Sequence, residues 1–221
     1  MGSIVALKAA DGFSLAAYTA GWTDAKAGVV VVQEIFGVNR HMRDMADRFA
    51  AAGYLAISPA IFDRVERGVE LGYTPDDIAK GRDYRMKLTE AKVMEDIEAA
   101  AAHLGAKKLG IVGYCFGGTV AWWGATRSSK FAASSCWYGG GIAGTKDEHP
   151  RCPVQMHFGE KDVSIPMSDV EAVRMAQPNA ESYVYMGAGH GFGCDERGSF
   201  SKPDYDLAQR RTLDFFTKHL E

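Results

Sequence analysis

The sequence predicts an α/β fold: a mostly parallel central sheet, helices on both faces, and an antiparallel edge at the N-terminal side. Three observations carry this expectation. Short Val- and Ile-rich runs alternate with stretches whose apolar residues recur every three or four positions. The run Gly28 to Val32 has no polar break, as a strand buried on both faces requires. The first two extended stretches flank Asp11-Gly12, a strong hairpin signal.

The elements follow in order. Ile4 to Lys8 and Phe13 to Thr19 form the hairpin, and Gly28 to Val32 is the first buried strand. Met42 to Ala52 is a helix, because Met42, Met45, Phe49 and Ala52 share one face; Gly53 ends it. Tyr54 to Ser58 returns as a strand before Pro59. Asp63 to Asp77, polar and rich in Gly and Arg, reads as a loop or excursion, and Ile78 to Gly105 as mostly helix. Lys107 to Val112 is a strand, Phe116 to Ala125 a helix, and Phe131 to Trp137 and Val154 to Phe158 two further strands. Ser168 to Met175 (helix), Ser182 to Met186 (strand) and the amphipathic helix Asp204 to Leu220 complete the alternation.

The chain has 221 residues, 47% of them apolar and 24% charged, with no linker, repeat or low-complexity segment. It reads as one domain, 1–221, with a real core, which excludes disorder as the main state. A net charge of −3 gives no reason to expect nucleic acid or an anionic membrane as partner. No apolar run approaches a bilayer span, and Met1 to Ala10 lacks the pattern of a signal peptide. The four cysteines, Cys115, Cys136, Cys152 and Cys194, are too few for a disulfide scaffold. A cytoplasmic protein with free thiols is expected.

One turn stands out. Gly113-Tyr114-Cys115-Phe116-Gly117-Gly118 joins a predicted strand to a predicted helix, the setting that gives meaning to G-x-[Ser/Cys]-x-G. A nucleophile on so tight a turn needs neighbours without Cβ two residues before and after. The turn also sets Cys115 at a helix N-terminus, where a thiolate is favoured and the Phe116 N–H faces an incoming oxyanion. A glycine-rich turn around a buried cysteine is the plainer alternative. Partners follow in the order acid, then histidine. Asp162 lies in the turn after Val154 to Phe158, and His190 lies between glycines after the next strand. Asp162 would orient His190, which would act as base toward Cys115 and as acid toward the leaving oxygen. Glu160 competes for the acid role. His41, His103, His149, His157 and His219 read as structural, His157 being the nearest rival to His190.

At these residues the chain resembles the dienelactone hydrolase (carboxymethylenebutenolidase) family of the α/β-hydrolase superfamily. The matching stretches are Val32-Gln33-Glu34-Ile35-Phe36-Gly37-Val38-Asn39, the Cys115 turn, Gly159-Glu160-Lys161-Asp162 and Ala188-Gly189-His190-Gly191-Phe192. The resemblance implies the α/β-hydrolase fold, Cys115 as nucleophile, Asp162 as acid and His190 as base. It implies that Glu34 holds the resting cysteine and shifts when substrate binds. It also implies that the Ile35 N–H joins that of Phe116 in an oxyanion hole, and it leans to a monomer. The family's basic residue four positions after the histidine is here Cys194, with Arg197 three residues further on. A second family arginine matches Arg82, and an aromatic hydroxyl donor falls at Met86, with Tyr84 or Tyr73 as substitutes. Cysteine cannot hold a carboxylate as arginine does, so a half-dismantled carboxylate pocket is expected. Phe36 and Tyr138 are candidate apolar lining, with Trp122, Phe192 and Phe200 beside them.

The leading expectation is a cofactor-free hydrolase of a small-molecule ester or lactone, working through a thioester on Cys115. The alternative is a hydrolase-fold sensor of electrophiles or oxidants, with Cys194 as resolving thiol. No metal is expected, since His149, Cys152 and His157 lack paired ligand spacing. A dinucleotide site is disfavoured because the Gly-rich turn follows a middle strand.

Overall fold

The computed structural model describes residues 2–105 and 108–220. Among these residues eight strands form one sheet: β1 (Ser3–Lys8), β2 (Ser14–Ala20), β3 (Ala27–Val32), β4 (Leu55–Pro59), β5 (Lys108–Tyr114), β6 (Phe131–Trp137), β7 (Val154–Gly159) and β8 (Glu181–Tyr185). Their order is β1-β2-β4-β3-β5-β6-β7-β8. β1 pairs antiparallel with β2, and β2 antiparallel with β4; every later pairing is parallel. The antiparallel edge and the parallel body are as expected from sequence. The expected start of β5 at Lys107 lies outside the described residues. β5 runs on through Gly113 and Tyr114, which pair with Cys136 and Trp137.

Among the described residues six helices cover the sheet: α1 (Arg40–Ala51), α2 (Pro75–Met86), α3 (Glu90–His103), α4 (Phe116–Arg127), α5 (Met167–Ala176) and α6 (Lys202–Leu220). α1 starts at Asn39, whose side chain accepts from the Met42 N–H, and buries Met42, Met45, Ala46 and Phe49. Phe49 meets Phe216 of α6 at 6.0 Å between ring centroids, which ties those two helices together. α3 and α4 pack on one another and on the central strands. The four valines Val29–Val32 of β3, sandwiched between layers, are fully buried. Among the described residues no helix is long and apolar enough to cross a membrane.

Between β4 and β5 the structure differs from the sequence expectation. The segment expected as a loop opens with a short 3-10 turn, Ile61–Arg64, and yields a helix that begins at Pro75, inside its expected end. Thr74 and Asp77 form a reciprocal capping box and Pro75 occupies the first turn, so the signal was Thr-Pro-Asp-Asp. The single helix expected from Ile78 to Gly105 is two, because Thr89 caps a second start by accepting from the Lys92 N–H.

The strand order fixes where a site can form. β3 and β5 are neighbours, and the crossover from β3 leads to β4 on one side while that from β5 leads to β6 on the other. The carboxyl ends of β3 and β5 therefore flank a crevice, where open α/β sheets bind ligands.

Candidate active site

Cys115 stands at the end of β5 with φ 56°, a left-handed conformation costly for a residue with a Cβ. Glycines make the turn possible. A Cβ on Gly113 would lie 1.9 Å from the Gly117 carbonyl oxygen, and one on Gly117 would lie 2.3 Å from that of Val32. The Cys115 N–H donates to Trp137 O at 3.0 Å, which anchors the turn to β6. Phe116 is the first residue of α4, so its N–H is one of the donors a helix leaves without an intrahelical partner.

Asp162 and His190 come to this turn from the ends of β7 and β8. His190 Nε2 lies 3.1 Å from Cys115 Sγ, and His190 Nδ1 lies 2.6 Å from Asp162 Oδ2. Asp162 is buried, and its other oxygen accepts from the Ser164 N–H at 2.8 Å, so the carboxylate is fixed. Glu160 instead accepts from the Gly187 N–H at 2.8 Å; it is Asp162 that faces the imidazole. Burial works against a charged His190. The charge of Cys115 and the hydrogen bond of Asp162 outweigh it and raise the imidazole to about 10. At neutral pH the imidazole therefore favours its protonated form.

The other three cysteines are quieter. Burial pushes the thiols of Cys136 and Cys194 to about 12, and that of Cys152 to about 11. His157 is fully buried on β7, next to the edge strand, where its Nε2 meets Gln155 Oε1 and its Nδ1 meets Tyr185 Oη, both at 2.8 Å.

A cleft of about 360 Å³ opens over Cys115 and His190. Ile35, Phe36, Arg82, Arg85 and Arg197 line it, and none of its lining residues among those described is acidic. Gly81 lets α2 lie directly on the turn that carries Ile35: a Cβ there would sit 2.1 Å from the Ile35 carbonyl oxygen. Arg85 stacks over the Phe116 ring at 4.9 Å. The cleft is therefore better supplied with cations than the Cys194 position suggested. Arg197 reaches the cleft wall from three residues further along the chain.

Four other expectations need correction. Cys194 is fully buried and absent from the cleft lining; it faces Glu34, His41 and Tyr73. Tyr138 is also fully buried and packs edge-on behind His190 at 5.3 Å; of the candidate aromatics only Phe36 lines the cleft. Neither tyrosine proposed in place of Met86 lines the cleft: Tyr84 donates to Glu66, and Tyr73 accepts from Asn39 at 3.1 Å. Glu34 does not hold Cys115. Its Oε1 receives Arg197 Nη1 at 3.3 Å, while Cys115 Sγ is turned to His190. A guanidinium satisfies a buried carboxylate better than a thiol does, which accounts for the choice.

The family model described as "Dienelactone hydrolase family" matches residues 15–220. The chain belongs to the dienelactone hydrolase family. It is 38% identical over 213 residues to a Synechocystis protein named "Putative carboxymethylenebutenolidase", covering 87% of this chain and 86% of that one. An Azospirillum brasilense protein of the same name is 34% identical over 230 residues, covering 98% of each. Among solved structures, a "Putative Dienelactone Hydrolase" from Klebsiella pneumoniae subsp. pneumoniae MGH 78578 superposes with a TM-score of 0.83 at 30% identity, covering 98% of this chain and 99% of that one. A dienelactone hydrolase-like phosphotriesterase from metagenomic libraries shares the fold, with a TM-score of 0.79 at 19% identity. The architecture is the α/β-hydrolase fold, and the chain is a hydrolase of the dienelactone hydrolase type.

Proposed function

We propose that the protein hydrolyses enol lactones or similarly activated esters that carry a carboxylate, through a Cys115–His190–Asp162 triad. The observation that carries this reading is the line Asp162–His190–Cys115, at 2.6 and 3.1 Å, opening into a cleft lined by three arginines and no acid among the described residues. The volume, about 360 Å³, suits a small molecule.

Cys115 sulfur attacks the ester carbonyl carbon, and a C–S bond forms as the carbonyl oxygen takes negative charge. The Phe116 and Ile35 N–H groups hold that oxyanion. The C–O bond then breaks, and His190 gives its proton to the departing oxygen. In the second half His190 removes a proton from water, which attacks the thioester and frees Cys115. Thiolate leaves more readily than an ordinary alkoxide, so the first step goes forward only when the departing oxygen is a good leaving group, such as an enolate. Arg82, Arg85 and Arg197 hold the substrate carboxylate away from the reacting carbonyl. The chemistry needs no cofactor, and the reading takes the protein as a cytoplasmic monomer.

The test is Cys115→Ala against a panel of enol lactones and aryl esters, with and without a carboxylate. Activity should fall by at least about 10³-fold. Full retained activity would end the assignment.

A further inference from the structure

Behind the cleft wall lies a second cluster that the hydrolytic reading does not use. Glu34, His41 and Cys194 present one oxygen, one nitrogen and one sulfur, all within 4.8 Å of one another and all buried. They come from the end of β3, the first turn of α1 and the loop after β8. Two of these three residues carry an unpartnered buried atom. His41 Nδ1 lies 3.2 Å from Asp195 Oδ1, and Asp195 in turn receives Arg48 at 2.7 Å. A carboxylate so paired is an acceptor, so Nδ1 donates to it, and Nε2 is the ring nitrogen left to meet an ion. That Nε2 is buried without a hydrogen-bond partner. Glu34 Oε2 is in the same condition, while its Oε1 is taken by Arg197. Buried polar atoms are rarely left so, and here two of them belong to residues of one sulfur-containing cluster.

We propose that Glu34, His41 and Cys194 form a binding site for a borderline-soft divalent cation of the zinc type. A neutral imidazole oriented by a carboxylate, a thiolate and a carboxylate oxygen are the donors such an ion takes. The Asp195–His41 hydrogen bond is the outer support that metal-bound histidines commonly have. Binding exchanges the Cys194 S–H bond for a sulfur–metal bond and releases one proton to solvent. Two ligand charges, from Glu34 and Cys194, neutralise the ion, and Arg197 keeps its hold on Glu34 Oε1. No paired spacing in the sequence announces this site, because residues 34, 41 and 194 meet only through the fold.

The proposal is independent of whether Cys115 is the nucleophile, and its test keeps the two apart. The full chain, stripped with a chelator and carrying Cys115→Ala, is titrated with Co²⁺ and then Zn²⁺. The expected result is one cobalt per chain with thiolate-to-cobalt absorption in the near ultraviolet, displaced by zinc. Cys194→Ser should abolish the band, and His41→Gln should weaken binding by at least about 10-fold, with folding checked by circular dichroism. X-ray absorption of the zinc form of the Cys115→Ala chain needs no further variant. It should show a single sulfur at about 2.3 Å beside nitrogen and oxygen ligands. No band in the Cys115→Ala chain overturns the proposal and marks the orphaned atoms as partners of buried water. A band that survives in folded Cys194→Ser, or a zinc shell without sulfur, overturns it equally.

Discussion

Arg197 Nη1 lies 3.3 Å from Glu34 Oε1, joining the loop after β8 to the end of β3 across the wall of the cleft. Glu34 is fully buried and Arg197 only slightly exposed, with its guanidinium also over the Phe36 ring at 5.7 Å. One cation thus serves two surfaces: it neutralises a buried carboxylate and presents positive charge to the cleft. Gly191, with φ 74°, makes room for it, since a Cβ there would meet Arg197 Nη1 at 2.5 Å.

Arg197→Ala separates these two duties. KM for a carboxylated enol lactone should rise at least about 10-fold, while KM for a neutral aryl ester changes little. The variant also loses about 3 kcal/mol of stability, because Glu34 is left as an unpaired buried charge. Arg197→Ala with Glu34→Gln should recover most of that stability without recovering KM. Parallel kinetics and urea unfolding check both statements.

Gly81→Ala should lower kcat on every substrate alike, by about 10-fold or more. Alanine ordinarily strengthens a helix over glycine by about 1 kcal/mol. Here its Cβ would stand 2.1 Å from the Ile35 carbonyl oxygen, so the turn bearing the proposed oxyanion donor must move. A more active or an unchanged enzyme would show that the Ile35 N–H takes no part.

Asp162→Asn removes a hydrogen bond and a charge that raise His190 toward about 10. The imidazole must then lose its proton at lower pH than in the parent chain. NMR titration of the His190 ring should show the shift, and kcat/KM should fall by about 10²–10⁴-fold as the ring loses its orientation.

His157 predicts acid sensitivity of the fold itself. Burial, then the charge of Arg211, lowers it from 6.5 to about 3, so the folded ring stays neutral. Between those values the unfolded chain binds the extra proton. Stability from this group is therefore complete above pH 6.5 and falls as pH drops toward 3, by at most about 5 kcal/mol. His157→Gln should flatten the pH dependence of urea unfolding over that window.

The parts of the site legible in the sequence are those whose geometry is local. Gly113 and Gly117 announce the turn because their Cβ atoms would strike backbone within four residues or on the adjoining strand. Asp162 and His190 are found because each follows a strand directly, and parallel strands deliver their ends to one edge. Long side chains were less readable. Whether Arg197 or the Cys194 position supplies the cation depends on a path over Gly191 that no spacing rule encodes. His41 read as an ordinary helical histidine, because Asp195, which orients it, is 154 residues away. Tyr138 looked like lining, but its backbone at φ 38° turns it behind His190. The early start of α2 was readable in Thr74 and Asp77 and was hidden by the polar run before them.

The central claim is that Cys115 carries the acyl group. Rapid acid quench of the enzyme with an enol lactone, followed by peptide mass spectrometry, tests it most directly. The account predicts an adduct of the acyl mass on the peptide holding Cys115, released by hydroxylamine and absent from Cys115→Ala. An acyl group on any other residue, or turnover by Cys115→Ala at the parent rate, would contradict it.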